Sequence, residues 1–244
     1  MLGTSAQAYT LFFGEDRNGS ELVPLTFTPN TNAAQADFLS NLIGVETETF
    51  EAFTHATLAP LLLSFSGAGT ATLTGSGGIN AGVAGLTNGF GRYATSGVNY
   101  WEAAADGSGN FTINFSNPIA AFGFKGIDIG DFAGNLFLGL SNGAQIPVPH
   151  SSGDASRGSV LFFGLIAESE VEQFTSLSFL GFGPSGMARD VFSFDDMTIG
   201  RLSQVVVEPP VEPPVTSVPE PAMVLGLAIV ASLSCVCRQQ VNNP

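Results

Sequence analysis

The alternation of apolar and polar positions is the strongest structural signal in the chain. From Val45 onward, short alternating runs are separated by Gly, Asn, Pro and Ser, which is the pattern of strands joined by turns. We predict strands at residues 61–65, 71–74, 111–115, 121–126, 136–140, 160–165, 175–180 and 192–198. Short strands at such regular spacing favour a mainly β fold, here a two-sheet antiparallel jelly-roll-like sandwich.

The residues before Val45 follow a different pattern. Residues 9–13 and 22–28 read as the two strands of a hairpin, because an Asn-Gly pair lies between them and adopts turn conformations readily. Residues 32–42 place apolar side chains at helical spacing around Phe38. We therefore predict one short early helix in the otherwise β-rich domain.

The chain divides into four segments. Residues 9–201 contain the predicted sandwich, and residues 202–217 repeat Val-Glu-Pro-Pro, which predicts a stiff, extended linker. The tail, residues 218–240, contains an apolar run at 222–237. At ~1.5 Å per residue this run approaches the ~30 Å hydrocarbon layer, so it predicts a short transmembrane helix. Residues 1–8 end on Ala-Gln-Ala, which is typical of a truncated signal peptide or of an ordinary Ala-rich terminus.

The tail resembles the sorting signal of PEP-CTERM proteins in exopolysaccharide-producing bacteria. Pro219, Glu220 and Pro221 match its box, an apolar helix follows, and Arg238 stands for its terminal basic cluster. The resemblance implies export, transient retention in the inner membrane, processing by an exosortase, and delivery to the cell surface or extracellular matrix. Short stretches of the domain, including residues 48–53 and 121–132, also resemble these exported proteins.

Charge and cysteine content narrow the partners. The 244 residues include 7 basic and 21 acidic side chains, for a formal net charge of −14. Such a chain is a poor partner for nucleic acid, because binding a phosphate backbone requires clustered basic residues. Both cysteines, Cys235 and Cys237, lie in the tail, so the exported domain has no disulfide.

Two acidic motifs suggest a structural calcium ion. Glu51 follows a Phe near the start of the predicted sandwich, and Asp195-Asp196 follows a Phe on the last strand. These motifs resemble those of carbohydrate-binding jelly rolls, in which such residues meet and hold Ca²⁺. Glu51 and Asp196 would supply carboxylate oxygens, with backbone carbonyls completing the shell. Strict alternation directs Asp195 and Asp196 to opposite faces. Solvated carboxylates at the end of the sandwich are the alternative.

A ligand surface is predicted from aromatic and acidic residues. Tyr93, Tyr100 and Trp101 lie in a Gly/Ser/Asn-rich region that reads as a loop, where sugar rings could stack on them. Asp128 and Asp131 follow a predicted strand and could accept sugar hydroxyls or bind a second cation. The alternatives are aromatic rings that plug one end of the sandwich and carboxylates that cap turns.

Catalysis has little support in the sequence. Residues 139–143 match G-x-S-x-G, but Asn142-Gly143 and the extended segment after it predict a hairpin turn and not a nucleophile elbow. His55 and His150 are the two histidines and belong to no metal-binding motif. We therefore expect an exported, non-catalytic module that binds exopolysaccharide. A self-associating matrix protein and a carboxylate-based glycoside hydrolase are the alternatives.

Overall fold

The structure is a computed structural model that describes residues 9–131, 134–183, 186–187 and 189–206. In these residues the chain forms one α-helix, α1 (Pro29–Ser40), and fourteen strands. The strands are β1 (Tyr9–Asp16), β2 (Thr47–Glu48), β3 (Leu61–Phe65), β4 (Gly69–Gly75), β5 (Gly78–Ala81), β6 (Asn99–Ala105), β7 (Phe111–Ile119), β8 (Ala121–Ile127), β9 (Asn135–Leu140), β10 (Gln145–Val148), β11 (Val160–Ala167), β12 (Phe174–Gly183), β13 (Gly186–Met187) and β14 (Asp190–Gly200). Short 3₁₀ turns occupy Gly153–Ala155, Glu170–Glu172 and Leu202–Gln204.

The strands form two antiparallel sheets, which confirms the predicted mainly β fold with one helix. The first sheet has the order β1-β11-β8-β14-β6-β5, and β2 pairs with β14. The second sheet has the order β10-β9-β12-β7-β4-β3, and β13 pairs with β12. Eight strands pair in a nested series: β6 with β14, β7 with β12, β8 with β11, and β9 with β10. Successive pairs of this series alternate between the two sheets.

Phenylalanine side chains fill the space between the sheets. Phe179 of the second sheet meets Phe194 of the first sheet with ring centroids 5.7 Å apart. Phe194 also lies 5.2 Å from Phe124 and 5.5 Å from Phe111. All four rings are fully buried. Aromatic rings contribute both apolar burial and edge-to-face contacts, so this cluster binds the two sheets together.

Helix α1 covers part of the outer face of the first sheet. Phe38 is fully buried there and packs 5.5 Å from the rings of Phe12 and Phe162. The sheet lies close beneath it because Gly123 and Gly164 have no side chain. A Cβ atom at Gly164 would lie 2.7 Å from the Phe38 ring, and one at Gly123 would lie 2.8 Å from it.

The start of α1 differs from the prediction. Its carboxylate partner is Asp16 at the end of β1, whose Oδ2 accepts the Thr31 backbone N–H at 2.9 Å and whose Oδ1 accepts the Asn30 N–H at 3.3 Å. Thr28, the N-cap residue, makes no side-chain capping bond. The helix therefore begins at Pro29, and a residue distant in sequence satisfies its first amides.

The predicted N-terminal hairpin is wrong. Residues 22–28 form no strand, and β1 pairs instead with β11, with Phe13 opposite Phe163. The predicted strands from 61–65 to 192–198 are all found, several of them longer than predicted. Strands β5, β6, β10 and β13 were not predicted. Gly and Asn residues interrupt the alternation around β5 and β6, Pro147 interrupts it in β10, and β13 has only two residues.

The predicted leader remnant at residues 1–8 and the predicted tail at 218–240 lie outside the described residues, as do residues 207–217 of the linker. Within the described part of the chain, no helix has the length and hydropathy needed to cross a membrane.

Candidate functional site

A cleft of about 350 Å³ opens on the outer face of the first sheet, beside the start of α1. Three loop segments, residues 24–28, 82–86 and 93–98, form its walls. Lys125 of β8 and Val160 of β11 lie in the part of the sheet that they enclose. We call this feature the Lys125 cleft. A concave site with a few convergent polar groups is the usual form of a small-ligand site.

Lys125 is the central polar group of the cleft. It points outward because its neighbours Phe124 and Phe122 on β8 face the core. The side chain is buried, with 10% of its surface exposed, and its Nζ lies 3.1 Å from Asp196 Oδ2. Nζ also donates to Asn32 Oδ1 at 3.3 Å. An ammonium has three N–H donors, and the third finds no acceptor among the described residues.

Asp195 and Asp196 both contact the same loop, contrary to the predicted opposite directions. A register shift in the pairing of β14 with β8 lies between Asp195 and Thr198, and Asp196 has a left-handed φ of +48°. Thr95 Oγ1 consequently lies 2.9 Å from Asp195 Oδ2 and 3.2 Å from Asp196 Oδ2, so that its one hydroxyl proton is shared between the two carboxyl groups. Ser96 Oγ donates to Asp196 Oδ1 at 2.6 Å. The bulge thus lets two adjacent carboxyl groups position one wall of the cleft.

Asp195 is fully buried and accepts the Thr95 backbone N–H at 2.8 Å. Burial, followed by the charge of the adjoining Asp196, raises the pKa of Asp195 to about 7. The cause is the cost of holding two carboxylates side by side away from water.

Glu51 holds the other end of the same loop. Its Oε1 accepts the backbone N–H of Val98 at 2.8 Å and that of Asn99 at 2.6 Å. The preceding Phe50 has a φ of +61°, and its buried ring lies 6.1 Å from Phe194. The two acidic motifs therefore meet through residues 95–99, where they fasten the cleft wall.

The donor set does not fit the predicted calcium ion. Glu51 Oε1 already accepts two backbone amides, and the Asp196 carboxylate is paired with the Lys125 ammonium, which supplies a positive charge. Within the described residues, no three His, Cys, Asp or Glu side chains are grouped so that they could hold a metal ion. Calcium requires six to eight oxygen ligands. We assign Glu51 and Asp196 to the support of the cleft.

Tyr93 supports the opposite wall. Its hydroxyl accepts the Leu25 N–H at 3.0 Å and donates to the Gly158 carbonyl at 2.9 Å. The ring packs with Ile127 and Val160, and burial raises the pKa of Tyr93 to about 12. Tyr93 thus lines the cleft but is mostly buried, so it offers little ring face to a sugar.

The prediction that Tyr100 and Trp101 lie in a loop is wrong. Both belong to strand β6 and are fully buried. Trp101 stacks on Phe111 at 6.4 Å inside the sandwich. Neither ring can contact a ligand, because Trp101 belongs to the core between the sheets and Tyr100 has no exposed surface.

Asp128 and Asp131 lie next to the cleft and not in it. Asp128 has a φ of +68°, accepts the Gly158 N–H at 2.9 Å, and lies 3.6 Å from Arg92 Nη1. Burial raises the pKa of Asp128 to about 7. Asp131 is exposed, and Asp190, which sequence reasoning missed, is fully buried beneath it. Burial, then the charge of Asp131, raises the pKa of Asp190 well above its ordinary value.

The G-x-S-x-G match lies in a turn, as predicted. Ser141 sits between β9 and β10, whose pairing is closed by the Leu140 N–H bond to Ala144 O at 2.8 Å. Ser141 Oγ accepts the Thr175 N–H at 2.9 Å. The prediction of a hairpin turn is therefore confirmed.

Both histidines accept backbone hydrogen bonds. His55 Nδ1 accepts the Ala81 N–H, and His150 Nε2 accepts the Leu136 N–H.

Sequence reasoning missed Lys125, Asn32 and Thr95 as site residues. A signal for Lys125 was available: it is the one charged residue in β8, whose other members are Ala, Phe, Gly and Ile. A lysine within an apolar strand must find a partner or water. Asn32 and Thr95 gave no comparable signal, since such residues are common at helix starts and in loops.

No protein-family model matches the sequence, and no curated protein matches it. Among solved structures, the chain is similar to the K2 cleaved adhesin domain of Lys-gingipain (Kgp), with 12% sequence identity and a TM-score of 0.35. The match covers 64% of this chain and 97% of that chain. A TM-score this low supports no inference about fold or function.

Proposed function

We propose that residues 9–206 form a non-catalytic, jelly-roll binding module of an exported protein, and that the Lys125 cleft holds a sugar residue of an extracellular polysaccharide. The observation that carries this proposal is the cleft itself, a concave site with a buried ammonium at its centre. The nested strand pairing supports the jelly-roll assignment, because a jelly roll is a long antiparallel pair folded over two sheets.

The chemistry of the cleft supports a sugar as the ligand. Thr26, Thr28 and Thr95 line it together with Asn32, while Leu25, Val83, Leu86 and Val98 supply apolar surface. A pyranose ring has hydroxyl groups at its edge and C–H groups on its faces, so it can use both kinds of contact. Among the described residues that line the cleft, Lys125 and Tyr93 are the ionisable ones, while the adjacent carboxyl groups of Asp195 and Asp196 lie behind this lining and bind Thr95 and Lys125.

The tail supports export. Its Pro219-Glu220-Pro221 box, apolar run and Arg238 fit an exosortase substrate that is held briefly in the inner membrane and then released to the surface or matrix. Exopolysaccharide would be the ligand at hand in that place. Replacing Glu220 with Ala should stop processing, which immunoblotting of membrane and released fractions in an exosortase-positive host would measure.

A steric block tests the binding proposal. Val83 is 67% exposed at the cleft wall, so Val83→Trp should fill the cleft without disturbing the core. The control is Val171→Trp, since Val171 is 77% exposed and does not line the cleft. We expect calorimetric titration of the full chain with maltohexaose, cellohexaose and mannohexaose to detect binding to at least one, lost in Val83→Trp and kept in Val171→Trp. Equal binding by both variants would exclude the Lys125 cleft as the site.

One observation favours self-association as a second candidate function. Strands β3, β4, β7, β9, β10 and β12 of the second sheet contain no charged residue. Edge strand β3 exposes Leu62 at 60%. Natural proteins usually place charge on open edges to prevent pairing between sheets. Concentration-dependent sedimentation that Leu62→Lys abolishes would support a structural matrix role.

A further inference from the structure

We propose that the Lys125 cleft accepts neutral sugar residues and rejects sugar residues that carry a carboxylate. This inference rests on the proposed function, because it names the class of sugar that the same cleft takes. It follows from the arrangement of charges at the cleft floor and from the donors that remain available there.

The positive charge of Lys125 is already balanced. Its Nζ lies 3.1 Å from Asp196 Oδ2, and the side chains of both residues are about nine-tenths buried. Asp195 adjoins them, since Thr95 Oγ1 lies within hydrogen-bond distance of both carboxyl groups. The ammonium is therefore paired with Asp196, and a second carboxyl group, that of Asp195, adjoins this pair. A ligand carboxylate that enters the cleft meets no surplus of positive charge, and buried like charges repel strongly because little water screens them.

No second cation is present to change this balance. Of the residues that line the cleft, all within the described ranges, Lys125 is the only lysine or arginine. Arg92 pairs with Glu102 at 3.0 Å and lies 3.6 Å from Asp128, so its positive charge is also balanced by carboxyl groups. The chain as a whole carries a formal net charge of −14, which repels an acidic polysaccharide at longer range.

A neutral sugar avoids these costs. The third N–H of Lys125 can donate to a hydroxyl or ring oxygen, which keeps the Asp196 ion pair intact. A charge-assisted hydrogen bond of this kind also strengthens the binding of a ligand that places an oxygen atom at the floor of the cleft. The specificity therefore arises from an ion pair that supplies a donor without supplying net charge.

Asp196 is the residue that sets this preference. Asp196→Asn removes one negative charge beside Lys125 while keeping an oxygen that can accept from Ser96, and Asn tolerates the left-handed φ of +48°. Asp154→Asn is the matched control, because it makes the same charge change at a side chain that is 89% exposed and does not line the cleft. If Asp196→Asn fails to fold, Ala84→Lys adds a positive charge at an exposed lining position instead.

The experiment is calorimetric titration of the full chain with neutral hexasaccharides and with hexagalacturonate. We expect the wild-type chain to bind a neutral sugar about tenfold or more tightly than hexagalacturonate, since like-charge contacts oppose the acidic ligand. Asp196→Asn or Ala84→Lys should gain affinity for hexagalacturonate, and Asp154→Asn should not. The gain should shrink as salt is added.

Three results would count against the inference, and they are distinct. Equal or tighter wild-type binding of hexagalacturonate overturns the neutral preference but leaves the cleft as a sugar site. A neutral preference that neither Asp196→Asn nor Ala84→Lys changes overturns the role of the floor charges. Binding of neither class of sugar overturns the proposed function, and the inference with it.

Discussion

Asp128 provides a direct test of how burial controls stability in this protein. Its ordinary pKa of 3.8 rises to about 7 in the folded state, mainly through burial. Between these values the unfolded chain releases a proton that the folded chain retains, so stability falls as pH rises through this window and is fully restored below it. At ~1.36 kcal/mol per pKa unit, the penalty above pH 7 is at most about 4 kcal/mol.

Asp128→Asn should remove this penalty. Asn tolerates the φ of +68°, and its side-chain oxygen can still accept the Gly158 N–H. We expect the variant to be more stable than the wild type at pH 8, by up to about 4 kcal/mol, and nearly equal to it at pH 4.

Urea unfolding between pH 4 and pH 8 would measure this difference. Trp101 is the single tryptophan and is fully buried, so its fluorescence reports loss of the core. Asp154→Asn serves as the control for a surface carboxylate. A stability difference between Asp128→Asn and wild type that is constant from pH 4 to pH 8, or that grows toward pH 4, would refute the reasoning.

Two further predictions concern the packing of α1. Gly164→Ala should lower the free energy of unfolding by about 1–3 kcal/mol, because its Cβ would lie 2.7 Å from the Phe38 ring. Urea unfolding checks this, and adding Phe38→Leu should recover part of the loss; additive effects would contradict the contact. Asp16→Ala should cost about 1 kcal/mol by removing the carboxylate that accepts the Thr31 N–H. Hydrogen exchange should then speed up in the first turn of α1, and unchanged exchange would exclude this capping role.

The strands were predictable because their signal is local. In β9 and β11, the residues themselves show which segments are extended, and the Asn142-Gly143 turn between β9 and β10 follows from the same short range. Local patterns fail where sequence features compete. Trp101 was assigned to a loop because Gly and Asn residues surround it, yet its large ring is drawn into the core.

The site was predicted only in fragments. Glu51, Tyr93 and Asp196 were chosen from sequence, and the structure brings all three to one cleft, but as supports of its walls and floor. Their partners are backbone amides and Lys125, which no motif indicates. The bulge in β14 also turned Asp195 and Asp196 toward a common loop, which alternation alone would not allow.

By itself, the sequence determined that the domain is β-rich, that one helix comes early, and that the chain is acidic but has few charged residues. These properties depend on composition and on spacing between near neighbours. Tertiary structure alone decided which strands pair, that Asp16 caps α1, and that Lys125 meets Asp196. The reason is physical: such contacts join residues far apart in the chain, and they form only when the burial of the whole core brings those residues together.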